Sequence, residues 1–446
     1  MQLAFSLLVI LLAIVAILYR LEVRLTLLTA ALTLGLLARR PEVILQTFLG
    51  YFTREQFLLP IGCCMGFAYV LRHTGCDQHL VHLLLKPLQR VRTLLIPGVV
   101  CVGALVNVPI ISQAGTIVVV GSVLAPVLRA ANLSPITIGA SLALGASIGG
   151  ELLNPGAPEL GTVSHECGTT ATECIARVWP LLLVHLVVTV PLFWLLCLRA
   201  ECSRTTTADE NRLPEAFVIN PIKAMVPLLP LALLFLTALP PPLKTFDVPH
   251  WWLLPDGAEA KLFDTRLVAA AMLVGVVAAA STAPAKAGAT AKVFFEGAGH
   301  ALTTVTSIIA SASCFGRGVE MAGVPDLLHK VIEAVPGLLI PLAVLMPAGF
   351  SWMCGSGMAS TQSLFGFFVA PANGLGVDPV RVGAVVAISG AGGRTLSPVA
   401  AVVLLASSMS ADEPAERATP LEITRRIAVP LLAGLAAVAI AAALWG

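Results

Sequence analysis

Two short motifs carry chemistry because each breaks a long apolar run with glycine, proline and polar side chains. The first is GGELLNP, Gly149–Pro155, preceded by Ser147. The second is GGRTLSP, Gly392–Pro398, preceded by Ser389 and Gly390. Glycine permits close backbone approach and positive φ. Proline removes a donor and frees a carbonyl. In apolar surroundings such breaks expose N–H and C=O groups that can replace the hydration shell of a solute. Half-helix N-termini favour anions, and C-terminal ends and freed carbonyls favour cations. Two further apolar stretches are interrupted by NVPIISQAGT, Asn107–Thr116, and SWMCGSGMAST, Ser351–Thr361.

The candidate substrate-binding residues come from these four breaks. They are Asn107, Ser112, Thr116, Gly149, Gly150 and Asn154 in the first half of the chain. In the second half they are Ser356, Ser360, Thr361, Gly393, Arg394, Thr395 and Ser397. The set is dense in hydroxyls and amides and poor in charge, which suits a small, multiply oxygenated anion. Arg394 can grip a carboxylate bidentately, or it can pair structurally with Glu151, which holds the equivalent place in the first motif. Glu151 is the candidate ion-coupling group, with permanent pairing as its other reading. Asn154 and Ser397 serve either as ligand contacts or as caps of resumed half-helices. Arg317 and Glu320 are three apart and are expected to pair on one helix face. His185 and His300 read as packing residues. Residues 159–173 read as an acidic outer loop, in which His165-Glu166 lacks the second His of a zinc-protease motif. No catalytic residue, metal site or cofactor is expected. The ten cysteines form no CxxC pair and no Cys/His metal spacing, and most read as small hydrophobes.

The elements that must position these residues follow from composition. Of 446 residues, 57% are apolar and 12% charged, against about 25% charged in an ordinary soluble domain. That excludes a soluble enzyme and a disordered chain. The 27 basic and 25 acidic residues nearly cancel, so no nucleic-acid partner is expected. The class is an all-α polytopic membrane protein with the lipid bilayer as its solvent. Apolar segments near 2–19, 23–38, 56–72, 134–158 and 177–198 read as spans, the first as a retained span rather than a signal peptide. So do those near 223–239, 265–281, 301–322, 379–408 and 427–445. The segments 134–158 and 379–408 hold the broken motifs. Stretches 93–130 and 337–377 have arms too short to cross and read as re-entrant helical hairpins.

The halves are related in sequence. Gly75 matches Gly323, Ile96-Pro97 matches Ile340-Pro341, and the two Gly-Gly motifs match with an offset drifting only from 248 to 243. The expected organisation is a first repeat over 1–198, a cytoplasmic linker over 199–222 and a second repeat over 223–446. Each repeat has five transmembrane helices, one of them broken, plus a hairpin. Five is odd, so the second repeat is inverted. With the N-terminus outside, inner segments hold 16 Lys and Arg and outer segments 9, which favours both termini outside. Inverted repeats with breaks at matching positions mark a secondary transporter. A channel would need a continuous polar stripe, and a membrane enzyme a nucleophile beside a base; neither is visible.

GASIGGELLNPGAPELGTVS, Gly145–Ser164, and SGAGGRTLSPVAAV, Ser389–Val402, together with the hairpin segments, resemble the anaerobic C4-dicarboxylate carrier family of DcuC type. The likeness runs from about residue 40 to the C-terminus. It implies an elevator-type carrier of succinate, fumarate or malate in the bacterial inner membrane, where the loop charges place both termini in the periplasm. It also implies coupling to a proton or sodium, or exchange, and a homodimer. Two alternatives stay open within transport. One is a carrier of another small organic anion, such as a short-chain fatty acid or peptide-like acid. The other is a cation/proton antiporter on the same architecture.

Overall fold

A computed structural model of the chain describes residues 2–19, 21–86, 94–201, 217–237, 248–255 and 262–445. Most of the expected linker, and residue 93 of the first hairpin, lie outside them. The described residues form helices and no strands. Among the described residues seven helices are long and apolar enough to cross a membrane, eight if the bent pair Pro379–Leu396 and Ala401–Met409 counts as one span; they include the hairpin arms Gln113–Ala130 and Pro336–Cys354, which corrects the expectation that every arm is too short to cross. Gln2–Leu18, Val23–Leu37 and Pro221–Thr237 are shorter apolar helices covering other expected segments. The expected segment 301–322 belongs to a longer helical run, Pro284–Met321.

Local signals account for the helix ends. Ser134 and Asp378 cap the two broken helices, each with proline at the first helical position, where the missing N–H costs nothing. Ser112 accepts from Gly115 N at 3.1 Å, and Ser356 from Ala359 N at 3.2 Å, so each caps the returning arm of its hairpin. Gly75 (φ 79°) and Gly323 (φ 76°) each end a long helix and start a short amphipathic one. Thr419 and Glu422 form a capping box on the last helix, Pro420–Leu444. Thr419→Ala is expected to cost about 1 kcal/mol, read as a small drop in the thermal midpoint in detergent.

The breaks fall where the glycines and prolines require them. Helix Pro135–Ser147 ends, Gly149 turns through φ 111°, and a tight 3-10 turn, Gly150–Leu153, follows. The chain resumes as helix Pro158–Cys167. In the second half helix Pro379–Leu396 ends at extended Ser397 and resumes at Ala401, bent by 42°.

Each broken helix packs on the outgoing arm of a hairpin: Pro135–Ser147 on Leu95–Asn107, and Pro379–Leu396 on Leu339–Cys354. Small residues bring the backbones together. A Cβ on Gly150 would strike the Ala104 carbonyl, and one on Gly393 the Ala348 carbonyl. Val99, Val100, Leu142, Leu144, Val385 and Ile388 close the core around these contacts. Outside it, Glu55–Thr74 packs against Leu262–Ser281 and Thr290–Ala301, and Val23–Leu37 against Ser307–Met321. Leu183, Val187, Val277, Leu345 and Ile440 project outward, as suits a lipid-facing surface.

Candidate functional site

Where the two broken helices meet, they are tied at one backbone carbonyl. The Ser147 carbonyl accepts from Thr395 Oγ1 at 2.9 Å and from Arg394 Nη2 at 3.2 Å. Ser147 Oγ lies 2.7 Å from Thr395 Oγ1 and accepts from Arg394 Nε at 3.3 Å. Arg394 Nη2 also reaches Glu151 Oε1 at 2.6 Å, and Gln113 Nε2 donates to the same oxygen at 3.0 Å. The two side chains are 4% and 0% exposed, so this is a buried ion pair, drawn from both breaks and braced by a hairpin tip.

A second carboxylate lies on the other side of the guanidinium. Glu159 Oε1 is 3.9 Å from Arg394 Nη1, and its side chain is 1% exposed. Neither Glu159 oxygen, nor Arg394 Nη1, nor Glu151 Oε2 has a hydrogen-bond partner. The loop expected over 159–173 is therefore corrected: only residues 168–170 lie between helices Pro158–Cys167 and Ala171–Glu201. Residues 158–167 form a helix that carries Glu159 into the core. Pro158 at the first helical position followed by an acid is itself a helix-start signal.

A cavity of about 420 Å³ opens against Arg394. Four helix N-termini reach its wall: Ser112 to Ala114, Gly156 with Pro158, Ser356 with Met358, and Ala400 to Val402. Between them lie apolar side chains, among them Ile61, Met65, Ile111, Val305 and Ile308. His300 also faces the cavity. Of the residues proposed from sequence, Ser112, Ser356 and Arg394 line it.

The other candidates serve as bracing around the cavity. Asn107 accepts from Glu151 N at 3.1 Å and donates to the Ile110 carbonyl at 3.0 Å. Thr116 donates to the same carbonyl at 2.9 Å. Asn154 donates to the Val108 carbonyl and accepts from Gly156 N, both at 2.9 Å, tying the first break to the first hairpin tip. Ser360 donates to the Pro347 carbonyl at 2.8 Å. Thr395 joins the two broken helices. Gly149 turns the chain, and Gly150 and Gly393 give the close approaches. Thr361 and Ser397 are buried with unpartnered hydroxyls. Arg317 and Glu320 pair at 2.6 Å, as their spacing suggests.

Sequence reasoning missed Glu159 and, among cavity-lining residues, Arg24, Met65 and His300. Among the described residues no three His, Cys, Asp or Glu gather as metal ligands. Cys167 and Cys174 are free.

The fold and sequence can now be set beside known proteins. The YdaH transporter of Alcanivorax borkumensis superposes with a TM-score of 0.64 at 17% identity, covering 91% of this chain and 88% of that one. MtrF of Neisseria gonorrhoeae, described among antimetabolite efflux pumps, gives 0.59 at 15% identity, covering 89% and 83%. At these identities the likeness is one of fold. The anaerobic C4-dicarboxylate transporter DcuC of Escherichia coli is 23% identical over 390 residues, 84% of this chain and 78% of its own length. An uncharacterized transporter of Haemophilus influenzae is 39% identical over 118 residues, 26% of this chain and 81% of its own. The family model for the C4-dicarboxylate anaerobic carrier, DcuC, matches residues 56–444. This chain, a multi-pass membrane transporter, therefore belongs to the DcuC family.

Proposed function

We propose that the protein is a secondary carrier of C4-dicarboxylates such as succinate, fumarate and malate, and that the substrate occupies the cavity beside Arg394. The observation that carries this reading is the convergence of four helix N-termini on one cavity. Each terminus presents roughly half a positive charge, so four offset about the charge of a dianion. Arg394 is already largely neutralised by Glu151, but its Nη1 is buried without a hydrogen-bond partner and so has a donor to spare for a substrate carboxylate that reaches it. The apolar side chains between the helix ends suit a short carbon chain carrying its charges at both ends.

The transport cycle we propose is an elevator on two inverted repeats, 1–198 and 223–446, joined by a cytoplasmic linker. The equivalent glycine contacts, Gly150 on Ala104 and Gly393 on Ala348, support the repeat. So do the paired left-handed glycines Gly75 and Gly323. A second cavity, lined by Pro155, Gly161, Ser164 and Asp264, flanks helix Pro158–Cys167. A site with a cavity on either flank suits alternating access. Placement in a bacterial inner membrane with periplasmic termini, and a homodimer, belong to the same proposal.

The test is uptake of labelled succinate and fumarate into proteoliposomes with proton and sodium gradients imposed separately. Saturable flux of either dicarboxylate is the expected result. Absence of flux and of exchange, with well-folded protein, would remove the substrate assignment. Cysteine labelling from each face tests the topology, and a 199–222 segment reached only from outside would reverse the orientation.

A further inference from the structure

We infer that Glu159 is the proton-carrying group of this transporter and that a proton on Glu159 travels with the substrate. The inference rests on the dicarboxylate site proposed above. Three buried titratable side chains meet here, two carboxylates and one guanidinium. Glu151 has the strong partners: Arg394 Nη2 at 2.6 Å and Gln113 at 3.0 Å. Glu159 has none. Both its oxygens are buried without a donor, and Arg394 Nη1 lies 3.9 Å from Oε1. An unpaired carboxylate in such a place is costly. Arg394 and Glu151 are the charged groups that act on Glu159 from the elements around it. Arg24 also lines the cavity, but Arg394 is the guanidinium beside both carboxylates, and it cannot neutralise both and a substrate anion as well.

The geometry supplies the coupling. Arg394 Nη1 is the unpartnered guanidinium nitrogen that a substrate carboxylate would engage, and it also lies 3.9 Å from Glu159 Oε1. Substrate anion and Glu159 carboxylate therefore compete for the same donor in a water-poor setting. Substrate binds best when Glu159 is protonated, and by linkage bound substrate raises the affinity of Glu159 for its proton. The step is an acid–base one: a proton adds to a Glu159 carboxylate oxygen on one side and leaves from it on the other. The neighbouring guanidinium disfavours sodium at the same carboxylate by direct repulsion. Glu151 is in this scheme the fixed counter-ion.

Fumarate binding to the full-length protein in detergent, measured between about pH 6.5 and 8.5 where both fumarate carboxyls stay ionised, tests the linkage. Wild-type protein is expected to take up protons on binding, in weakly buffered solution, and to lose up to about tenfold in affinity per pH unit as pH rises. In proteoliposomes with the membrane potential clamped at zero, a one-unit inward proton gradient should drive about tenfold fumarate accumulation per coupled proton. Glu159→Gln should lose this accumulation and flatten the pH dependence while still exchanging fumarate across the membrane. Glu159→Asp should keep both dependences. Proton uptake absent in wild-type protein that binds fumarate would overturn the inference alone. So would full proton-driven accumulation in Glu159→Gln, or coupling lost in Glu151→Gln but kept in Glu159→Gln. Loss of exchange together with accumulation, in Glu159→Gln that remains monodisperse, would mark a structural role and also overturn it. Wild-type protein that neither binds nor exchanges any C4-dicarboxylate would bring down the substrate reading, and this inference with it.

Discussion

Arg394→Ala is expected to abolish dicarboxylate transport and to lower the yield of folded protein. Two losses combine. Removing the guanidinium leaves Glu151 buried without its 2.6 Å partner, and breaking a buried pair from one side costs about 3–5 kcal/mol. It also removes a charge-assisted donor to the substrate, which contributes about 1.5–3 kcal/mol, or roughly ten- to hundredfold in affinity. A doubly neutral protein, Arg394→Met with Glu151→Gln, separates the two. Its thermal midpoint should return most of the way to wild type, because no unpaired charge remains, while transport stays absent. Restored dicarboxylate flux in that protein would take Arg394 out of the substrate site.

Gly393→Ala and Gly150→Ala should both be severe, and for the same reason. The added methyl meets a backbone carbonyl of the neighbouring hairpin arm, Ala348 in one case and Ala104 in the other. A carbonyl in a packed helix cannot rotate away as a side chain can, so hairpin and broken helix must separate. Overpacking of this kind costs about 1–3 kcal/mol, occasionally more. Gly349→Ala is the control. It lies in the same hairpin arm with nothing within 4 Å of its Cβ position, and should be neutral or slightly stabilising, by up to about 1 kcal/mol. Thermal unfolding in detergent compares the three. A midpoint for Gly393→Ala equal to that of Gly349→Ala would mean that the close approach does not hold the two elements together.

The helices, the two breaks and the two hairpin tips could be placed from sequence because glycine, proline and apolar length act locally. The same signals placed Arg394 next to the break that opens on the cavity. What could not be read is how each polar atom is used. Asn107, Thr116, Asn154 and Ser360 have the types a binding site needs, yet each donates to a backbone carbonyl of a hairpin arm or tip. Residue type gives hydrogen-bonding capacity; only packing decides which partner takes it. Met65 and His300 reach the cavity from helices far away in sequence, and no local pattern announces that. Glu159 was hidden for a different reason. An acid just beyond a Gly-Pro-rich break looks like the start of a solvated loop, and its burial depends on the resumed helix turning inward.

The ion pair that ties the two breaks also has a biosynthetic consequence. Its partners are 243 residues apart. Chains lengthen at about 5–20 residues per second, N-terminal end first, so Glu151 reaches the membrane roughly 10–50 s before Arg394 has been made. Throughout that interval the first half must hold a carboxyl group in an apolar setting without its counter-charge, either protonated or at the lipid headgroups. Closure of the pair is therefore a late event in maturation. A ribosome stalled before residue 394 would leave behind an unfinished core rather than a folded half.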